Sequence, residues 1–570
     1  MDAVHSEQAT FIIYFSDVPS IKTNHTPAPK MIRKRLTHYL CLDLVLVLLS
    51  ATLWLPALLH VGLLSDDHAF VEVWGMPGNA LRWLHTEYTG FFRPLSALFW
   101  KANFQLWGSD GFGYHLANLA LHVTCTVLSL QVARHFFPGN RQIGTWAALL
   151  FMFLPGHIFA VLSPSASPGL LCSVFVLSTV LLHLRNRLRG LGWQSLPLLI
   201  LVLALLSKEL ALTTPLLILF VNLIWPVDKS ARGRHAFRFS LPYFAMVLAY
   251  LARRYWLFGH LTHSPLAHTN VDPYRLFING GIYTLTAFAP WGLEGFKPFF
   301  RANPQMLFVM VAVAFGIILI FVWHFRRHIE KGHVYCVLWI AITTMPVVRL
   351  YSPWNTYLPS VGSAIVTAAL LHTALRARPT LRAATFLVVL FTCMFYSMSH
   401  VMEWRKASSL SQRCVAEVIR VYEETDDRVY LTHIPVELGD APVFGGPWGL
   451  YSALSLKGYP SDRLTILSLV RIGEDTTNID ARMLKSGDIE LFLTTPHGLF
   501  RIESNETVTH QRTASIGYRY DARGNQFEVI SLNDHGEPNG LRIALAGNDK
   551  PDRVYLWRNN GLKPLSIRAK

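Results

Sequence analysis

Charge is scarce in this 570-residue chain: 15% of residues are Asp, Glu, Lys or Arg, against 52% hydrophobic. A soluble domain carries about a quarter charged residues, so an ordinary cytosolic protein is excluded, and disorder with it. Acidic residues are the scarcer sign, 36 against 51 Lys and Arg. Divided near Met402, where the apolar runs stop, residues 1–400 hold 30 Lys/Arg and 14 Asp/Glu, and residues 401–570 hold 21 and 22. The basic excess belongs to the hydrophobic part, where it reports membrane orientation rather than a nucleic-acid partner. Cysteine is also sparse. Five of the six (Cys41, Cys125, Cys172, Cys336, Cys393) lie in apolar runs, leaving Cys414 alone in the polar tail and excluding a disulfide within it. There is no CxxC, no zinc-like Cys/His spacing, no internal repeat, and no charged-then-apolar start of a cleavable signal peptide. Residues 1–37 read as a loose N-terminal extension.

What is abundant is apolar sequence in lengths that match a bilayer, roughly 17 to 25 residues. Spans are expected near 40–62, 112–133, 143–162, 168–184, 194–207, 210–225, 239–257, 304–324, 333–350, 357–375 and 382–400, eleven in all. The fifth and sixth are short and parted only by Ser207-Lys208-Glu209. Lys and Arg gather before the first span (Lys30, Arg33, Lys34, Arg35) and in alternate connections: Arg134/Arg141, Arg185/Arg187/Arg189, Lys229/Arg232/Arg234/Arg238, Arg326/Arg327/Lys331 and Arg376/Arg378/Arg382. The positive-inside rule places all of these in the cytoplasm. An odd span count then puts residues 401–570 outside, where the spelling reads as an α/β domain with strands at Val429–Leu431, around Pro496-His497-Gly498, and in a hairpin over Tyr518–Leu532. Eight of the 14 acidic residues before position 401 fall on the outer face: Asp66, Asp67, Glu72, Glu87, Asp110, Glu209, Asp272 and Glu294. The punctuated stretch Phe288–Phe296 on that face predicts an interfacial turn beside a cavity, since irregular backbone at membrane depth survives only in such surroundings.

Chemistry concentrates there. Asp66-Asp67 follows the first span directly; two adjacent carboxylates at an interface raise the proton affinity of one of them and suit general-base work on a hydroxyl. The plain alternative is a solvated acidic turn. His115, Asn118 and His122 share one helix face at about 100° per residue, either lining a cavity or bonding helix to helix. Arg93, Lys208 and Arg349 each sit at a helix end, as snorkelling cations or as a set holding a phosphate. Glu209 beside Lys208 requires partners. Two carboxylates could also hold Mg²⁺ or Mn²⁺, although adjacent residues rarely converge on one ion. Trp74, Trp83, Trp107 and Trp354 read as membrane-belt rings or as sugar-stacking faces.

These pieces occur in a familiar order: Asp66-Asp67, FFRPLSALFW from Phe91, DGFGYHLANLALH from Asp110, SKELALTTPLLIL from Ser207, FAPWGLEGF from Phe288 and TYLPSVGSA from Thr356. Together they resemble the multispan GT-C glycosyltransferases, nearest to the protein O-mannosyltransferase-like branch and to the transmembrane mannosyltransferases that carry tetratricopeptide repeats. The resemblance covers roughly residues 40–400. It implies inverting transfer of a sugar from a polyprenyl-phosphate donor to a hydroxyl acceptor at the outer face, with a carboxylate of the first outer loop as base. That role maps onto Asp67, marginally preferred, or Asp66. Arg93, Lys208 and Arg349 are the implied donor-phosphate residues, supported by His115, Asn118 and Glu209. Two departures stand out. Relatives commonly have an arginine three residues before the tyrosine of the YLPS element, where this chain has Trp354, and the tail lacks tetratricopeptide periodicity.

The expected architecture is therefore an α-helical multispan membrane protein, GT-C-like, with an extracytoplasmic α/β domain: 1–37 cytoplasmic, 38–400 catalytic, 401–570 outside. The expected partners are the lipid-linked donor, membrane lipid, and a protein, lipid or glycan acceptor, and the expected location is a bacterial inner membrane. A transporter or lipid flippase is the competing reading, though it would favour an internal symmetry not found here. A ligand-sensing tail on a membrane anchor is the third.

Overall fold

In a computed structural model of the chain, the described residues are 44–261, 273–289, 326–493, 515–565 and 568–569, apart from shorter gaps inside these ranges, together with isolated positions between 303 and 323. The chain divides into Met1–Leu46 and Val47–Lys570. In the first, residues 44–46 are described and are helical. The second holds a helical assembly followed by strands.

The helices, in order, are α1 (Leu55–His60), α2 (Asp66–Gly75), α3 (Pro94–Trp107), α4 (Gly111–Phe136), α5 (Arg141–Phe153), α6 (Ile158–Leu162), α7 (Ser167–Asn186), α8 (Ser195–Leu205), α9 (Thr214–Ile224), α10 (Arg232–Phe258), α11 (Pro273–Phe288), α12 (Lys331–Thr344), α13 (Pro359–Ala374), α14 (Pro379–Glu424) and α15 (Pro447–Ser455). Proline opens many of them, at positions 94, 168, 215, 359, 379 and 447. There its missing N–H loses nothing and its fixed φ suits the first turn. The Asp110 carboxylate caps α4 by accepting from the Phe112 N–H at 3.1 Å.

Among the described residues, Gly111–Phe136, Pro164–Asn186 and Pro379–Glu424 are each long and apolar enough to cross a bilayer. Arg141–Phe153 and Pro155–Leu162 together make a fourth candidate, bent by 54°. Pro155 explains the bend: it cannot continue the hydrogen-bond ladder and pushes Leu154 into extended backbone, with ψ of 125°. Helices of this length and hydropathy are what an integral membrane chain requires. Several other expected spans are shorter apolar helices, including α8, α9 and α13, and a further short apolar helix, α11, lies where no span was expected. The expected fifth and sixth spans are two separate helices, α8 and α9, parted by Leu206–Lys208 and the 3-10 turn Glu209–Thr213. Most of the expected span at 304–324, the turn at 290–296, Asp272, Glu294 and the extension 1–37 lie outside the described residues.

Helix α14 runs 46 residues without a break, about 70 Å at 1.5 Å per residue. Its hydropathy stops near position 400 but its helix does not. Beyond Met402 it buries Trp404, Ala407, Leu410, Cys414, Val418 and Val421 at helical spacing, and Glu417 accepts from the Leu562 N–H at 3.3 Å. The strands that follow form a four-stranded sheet (β12-β11-β1-β4, with β1 Val429–Thr432, β4 Leu464–Ile466, β11 Val554–Arg558, β12 Gly561–Pro564). A six-stranded sheet has the order β13-β6-β7-β10-β9-β8, comprising β6 Ile479–Met483, β7 Ile489–Leu493, β8 Arg519–Ala522, β9 Asn525–Leu532, β10 Pro538–Ala544 and β13 Arg568–Ala569. A three-stranded sheet orders β3 (Ala441–Pro442), β2 (Ile434–Leu438) and β5 (Leu469–Ile472). The expected hairpin over Tyr518–Leu532 is β8 against β9, antiparallel, with Ala522 opposite Asn525. The strand start at Val429 is β1, while the turn at Pro496-His497-Gly498 lies outside the described residues.

Candidate active site

The chain between α1 and α2 turns sharply at Ser65, whose φ is +51°, and the first two residues of α2 are the paired aspartates. Carboxylates in a first helical turn are favoured by the unsatisfied N–H groups there. Their surroundings differ. Asp67 is fully buried. Its Oδ1 accepts from the Ser165 N–H at 2.7 Å and the Ser163 hydroxyl at 3.0 Å, and its Oδ2 accepts from the Leu64 N–H at 3.1 Å. Burial pushes the Asp67 carboxyl up to about 7 against the pull of those donors. Asp66 is half-buried, and its Oδ1 accepts from the indole N–H of Trp448 at 2.7 Å. Burial raises this carboxyl too, with the Trp448 bond pulling it down. His68 is driven the other way, to about 4, by burial.

The residues that hold Asp67 belong to the turn Ser163–Ala166, which opens α7. One helical turn on, Gly169 faces Lys208: a methyl at Gly169 would come within 3.5 Å of the Lys208 Nζ. Lys208 is buried and donates to the amide oxygen of Asn355 at 2.8 Å. Among the described residues, no carboxylate lies within ion-pair distance of that ammonium. The start of α3 docks on the same strip, with the Leu95 N–H donating to the Leu206 carbonyl at 3.0 Å and the Ser96 hydroxyl to the Ser207 carbonyl at 2.8 Å. Arg93 is thereby set against Glu209, donating to Oε2 through Nε at 3.0 Å and Nη2 at 2.7 Å. Arg254, 3% exposed, reaches Glu209 and Glu87 at 3.7 Å each and donates to the Gly90 carbonyl at 2.9 Å.

A narrow cavity of about 30 Å³ lies beside Arg93, lined also by Phe70 and Trp74 of α2, Ser96 and Trp100 of α3, and Pro168 of α7, but not by Asp66, Asp67, Lys208 or Glu209. That volume admits about two waters. Contacts through the turn Ser163–Ala166, Gly169 and the start of α3 link Asp67, Lys208, Glu209 and Arg93 one to the next, with Asp66 adjoining Asp67. Arg349 stands apart: it is exposed, and among the described residues its recorded bond is its carbonyl accepting from the Asn279 amide at 3.1 Å.

His115, Asn118 and His122 are all buried on one face of α4. Asn118 donates to the carbonyls of Ser163 at 3.0 Å, Ala160 at 3.3 Å and Val161 at 3.4 Å, bracing the turn that serves Asp67. His115 lies 3.3 Å from the Gly62 carbonyl. His122 bonds the Tyr357 hydroxyl at 2.7 Å and the Met152 carbonyl at 3.1 Å, which is helix-to-helix bonding. The carboxylate pair does not fit a divalent cation. Asp67 faces N–H and O–H donors and Asp66 faces an indole N–H, and among the described residues no three His, Cys, Asp or Glu side chains converge.

Sequence reading missed Trp448, Ser163, Ser165, Asn355 and Arg254. Trp448 lies 382 positions from Asp66, so no local pattern announces it. Ser163 and Ser165 carried one weak signal, a polar SPSAS run between two apolar stretches.

No known family's sequence profile matches the chain. It is similar to protein O-mannosyl-transferase Tmtc1 of Drosophila melanogaster, 32% identical over 28% of this chain and 18% of that protein. It is similar also to protein O-mannosyl-transferase TMTC3 of Mus musculus, 31% identical over 25% of this chain and 15% of that one. The matched stretch therefore spans less than a fifth of the length of those relatives. Among solved structures, ArnT from Cupriavidus metallidurans in the apo state aligns at a TM-score of 0.42 and 12% identity, over 76% of this chain and 86% of that one. In sequence, the chain is protein O-mannosyltransferase-like over about a quarter of its length, as its ordered motifs led one to expect.

Proposed function

We propose that the protein is a glycosyltransferase that moves one sugar, with inversion, from a polyprenyl-phosphate donor to a hydroxyl acceptor at the non-cytosolic face of a membrane. On this reading residues 38–400 are the catalytic part, 1–37 the cytoplasmic extension and 401–570 an extracytoplasmic domain. The names of the similar proteins favour mannose as the sugar and a protein side chain as the acceptor.

One juxtaposition carries the reading: the turn Ser163–Ala166 holds the buried carboxylate of Asp67, next to Asp66, and one helical turn on, Gly169 faces the ammonium of Lys208, which among the described residues has no carboxylate partner. In the reaction the acceptor O–H gives its proton to a carboxylate as its oxygen bonds the anomeric carbon, and the carbon–oxygen bond to phosphate breaks. The electron pair leaves on the polyprenyl phosphate, whose growing charge a fixed cation stabilises.

On this reading Asp66 is preferred over Asp67, the reverse of the marginal sequence preference. Asp67 is enclosed by three donors, so Asp66, whose Oδ2 meets no donor among the described residues, is the proposed base, and Asp67 positions it. Lys208 is the proposed phosphate residue. Arg93 contributes through a guanidinium already shared with Glu209, and Arg349 approaches the donor only if the exposed turn at 348–349 moves inward.

The test is transfer from a radiolabelled polyprenyl-phosphate mannose to a mixture of serine- and threonine-bearing peptides, using the full chain in nanodiscs. Asp66→Asn is expected to abolish transfer while the protein accumulates normally. Undiminished transfer by that variant would overturn the proposal, and movement of the lipid across the bilayer without any glycosylated product would point to a transporter.

A further inference from the structure

The proposed base is held from two directions, and one of them is the C-terminal domain. Val443 accepts from the Ser65 N–H at 2.9 Å through its carbonyl, and its own N–H donates to the Val436 carbonyl at 2.7 Å, so the turn before α2 is tied to the middle of β2. Gly445 has φ of +65°, and a Cβ there would lie 2.0 Å from the Ser65 hydroxyl oxygen. Glycine is therefore required twice over, for its backbone angle and for the closeness of Ser65. At Gly446 a Cβ would lie 2.3 Å from the Trp448 ring, so the indole folds back over its own loop. That fold brings Nε1 to Asp66.

We infer that Trp448 is a positioning residue for the base, so that the catalytic apparatus is completed only when the loop Val443–Trp448 of the C-terminal domain docks on Ser65–Asp66. The inference rests on the proposed role of Asp66. An indole N–H donates and never accepts. Bonded to Oδ1, it fixes the plane of the carboxylate and leaves Oδ2 for the acceptor hydroxyl. The contact lies between the segment that opens α2 and the first turn of α15, and α15 is itself well packed: Pro447, Leu450 and Leu454 are buried. A rigid helix thus presents the donor, rather than a loose tail. The domain that sequence alone leaves without an assigned role becomes the part of the protein that sets base geometry. An acceptor engaging this domain would meet a surface continuous with the reacting carboxylate.

Trp448→Phe keeps the ring and removes the N–H. In the nanodisc assay it is expected to lower kcat by roughly ten- to a hundredfold, the scale of a small misplacement of a reacting group, with the donor KM within a factor of about two. Hydrogen exchange of the amides at 64–71 is expected to quicken, and in an Asp66→Ala background the same substitution is expected to change neither readout. Gly445→Val, which drives the loop from Ser65, is expected to reproduce the exchange effect. A wild-type kcat in Trp448→Phe overturns the inference, as does a loss of kcat matched by equal losses in donor KM and thermal stability. Exchange at 64–71 can be read whether or not the protein transfers sugar. Unchanged exchange in Trp448→Phe therefore sinks this inference alone, whereas full transfer by Asp66→Asn sinks the functional reading instead.

Discussion

Lys208 gives its ammonium hydrogen to the amide oxygen of Asn355 at 2.8 Å, a neutral partner for a buried cation. A buried charge without an opposite charge is costly, and an incoming phosphate would relieve that cost as a point-charge partner. Asn355→Asp places a carboxylate at the same distance and makes the phosphate redundant. The donor KM is expected to rise by at least about tenfold, equivalent to about 1.4 kcal/mol of binding, with a smaller rise in Asn355→Ala. Lys208→Gln is expected to lose donor binding altogether. Donor titration of the three variants checks the order, and equal KM values for Asn355→Asp and wild type would remove Lys208 from the phosphate site.

Glu209 serves two arginines and Arg93 serves one carboxylate, so truncating them should not be equivalent. Glu209→Ala leaves Arg254, only 3% exposed, with Glu87 at 3.7 Å as its carboxylate partner among the described residues. Breaking a buried pair from one side is strongly destabilising. Arg93, at 21% side-chain exposure, can turn to solvent when Glu209 is kept. Thermal melting of the purified protein should fall further in Glu209→Ala than in Arg93→Ala. The reverse order would mean that Arg93, not Glu209, organises the cluster.

Burial raises the Asp67 carboxyl from 3.8 to about 7, so folding favours its protonated form. A raised carboxyl contributes stability that is complete below 3.8 and is lost as pH climbs through about 7. Asp66 is raised in the same sense, whereas His68, lowered to about 4, weakens the fold as pH drops from 6.5 towards 4. The contribution of Asp67 is therefore read by difference. Between pH 5 and pH 8 the melting temperature of wild type should drop relative to that of Asp67→Asn, which does not titrate. Parallel curves would show that Asp67 is ionised throughout.

Much of the helical pattern was legible in the sequence for a simple reason: hydropathy and charge report what a segment faces, and they do so locally. The break at Ser207-Lys208-Glu209, the stripe of His115, Asn118 and His122, and the hairpin at β8 and β9 all follow from patterns within a few residues. Partners distant along the chain were not legible. Nothing near Arg93 announces that Glu209 shares its guanidinium, and nothing near Asp66 announces Trp448. The boundary near position 400 illustrates a further limit. Apolarity stops there because the surroundings change, yet α14 continues, since its polar half keeps a helical stripe of Trp404, Ala407, Cys414 and Val418 for the C-terminal domain to cover. Similarly, the choice between Asp66 and Asp67 depends on which carboxylate the donors of the turn at 163–165 surround, and adjacent letters cannot carry that.

Asn118 links the two ends of the proposed site, and its removal should show it. Its amide has two hydrogens serving three carbonyls, those of Ala160, Val161 and Ser163, so it braces the entry to the turn whose later residues hold Asp67 and face Lys208. Asn118→Ala leaves those buried carbonyls short of a donor, at about 1–3 kcal/mol, and frees the turn as a unit. Both catalytic constants should then suffer: kcat through the loosened aspartates, and donor KM through the shift of Gly169 against Lys208. Ser163→Ala removes a hydroxyl that bonds Asp67 and the Ser165 hydroxyl at 2.8 Å, and leaves the Ser165 N–H in place, so it should depress kcat with donor KM unmoved. The two substitutions act on neighbouring atoms with different reach. If Asn118→Ala leaves donor KM unchanged, the turn does not couple base to phosphate, and the carboxylate and the lysine are independent sites.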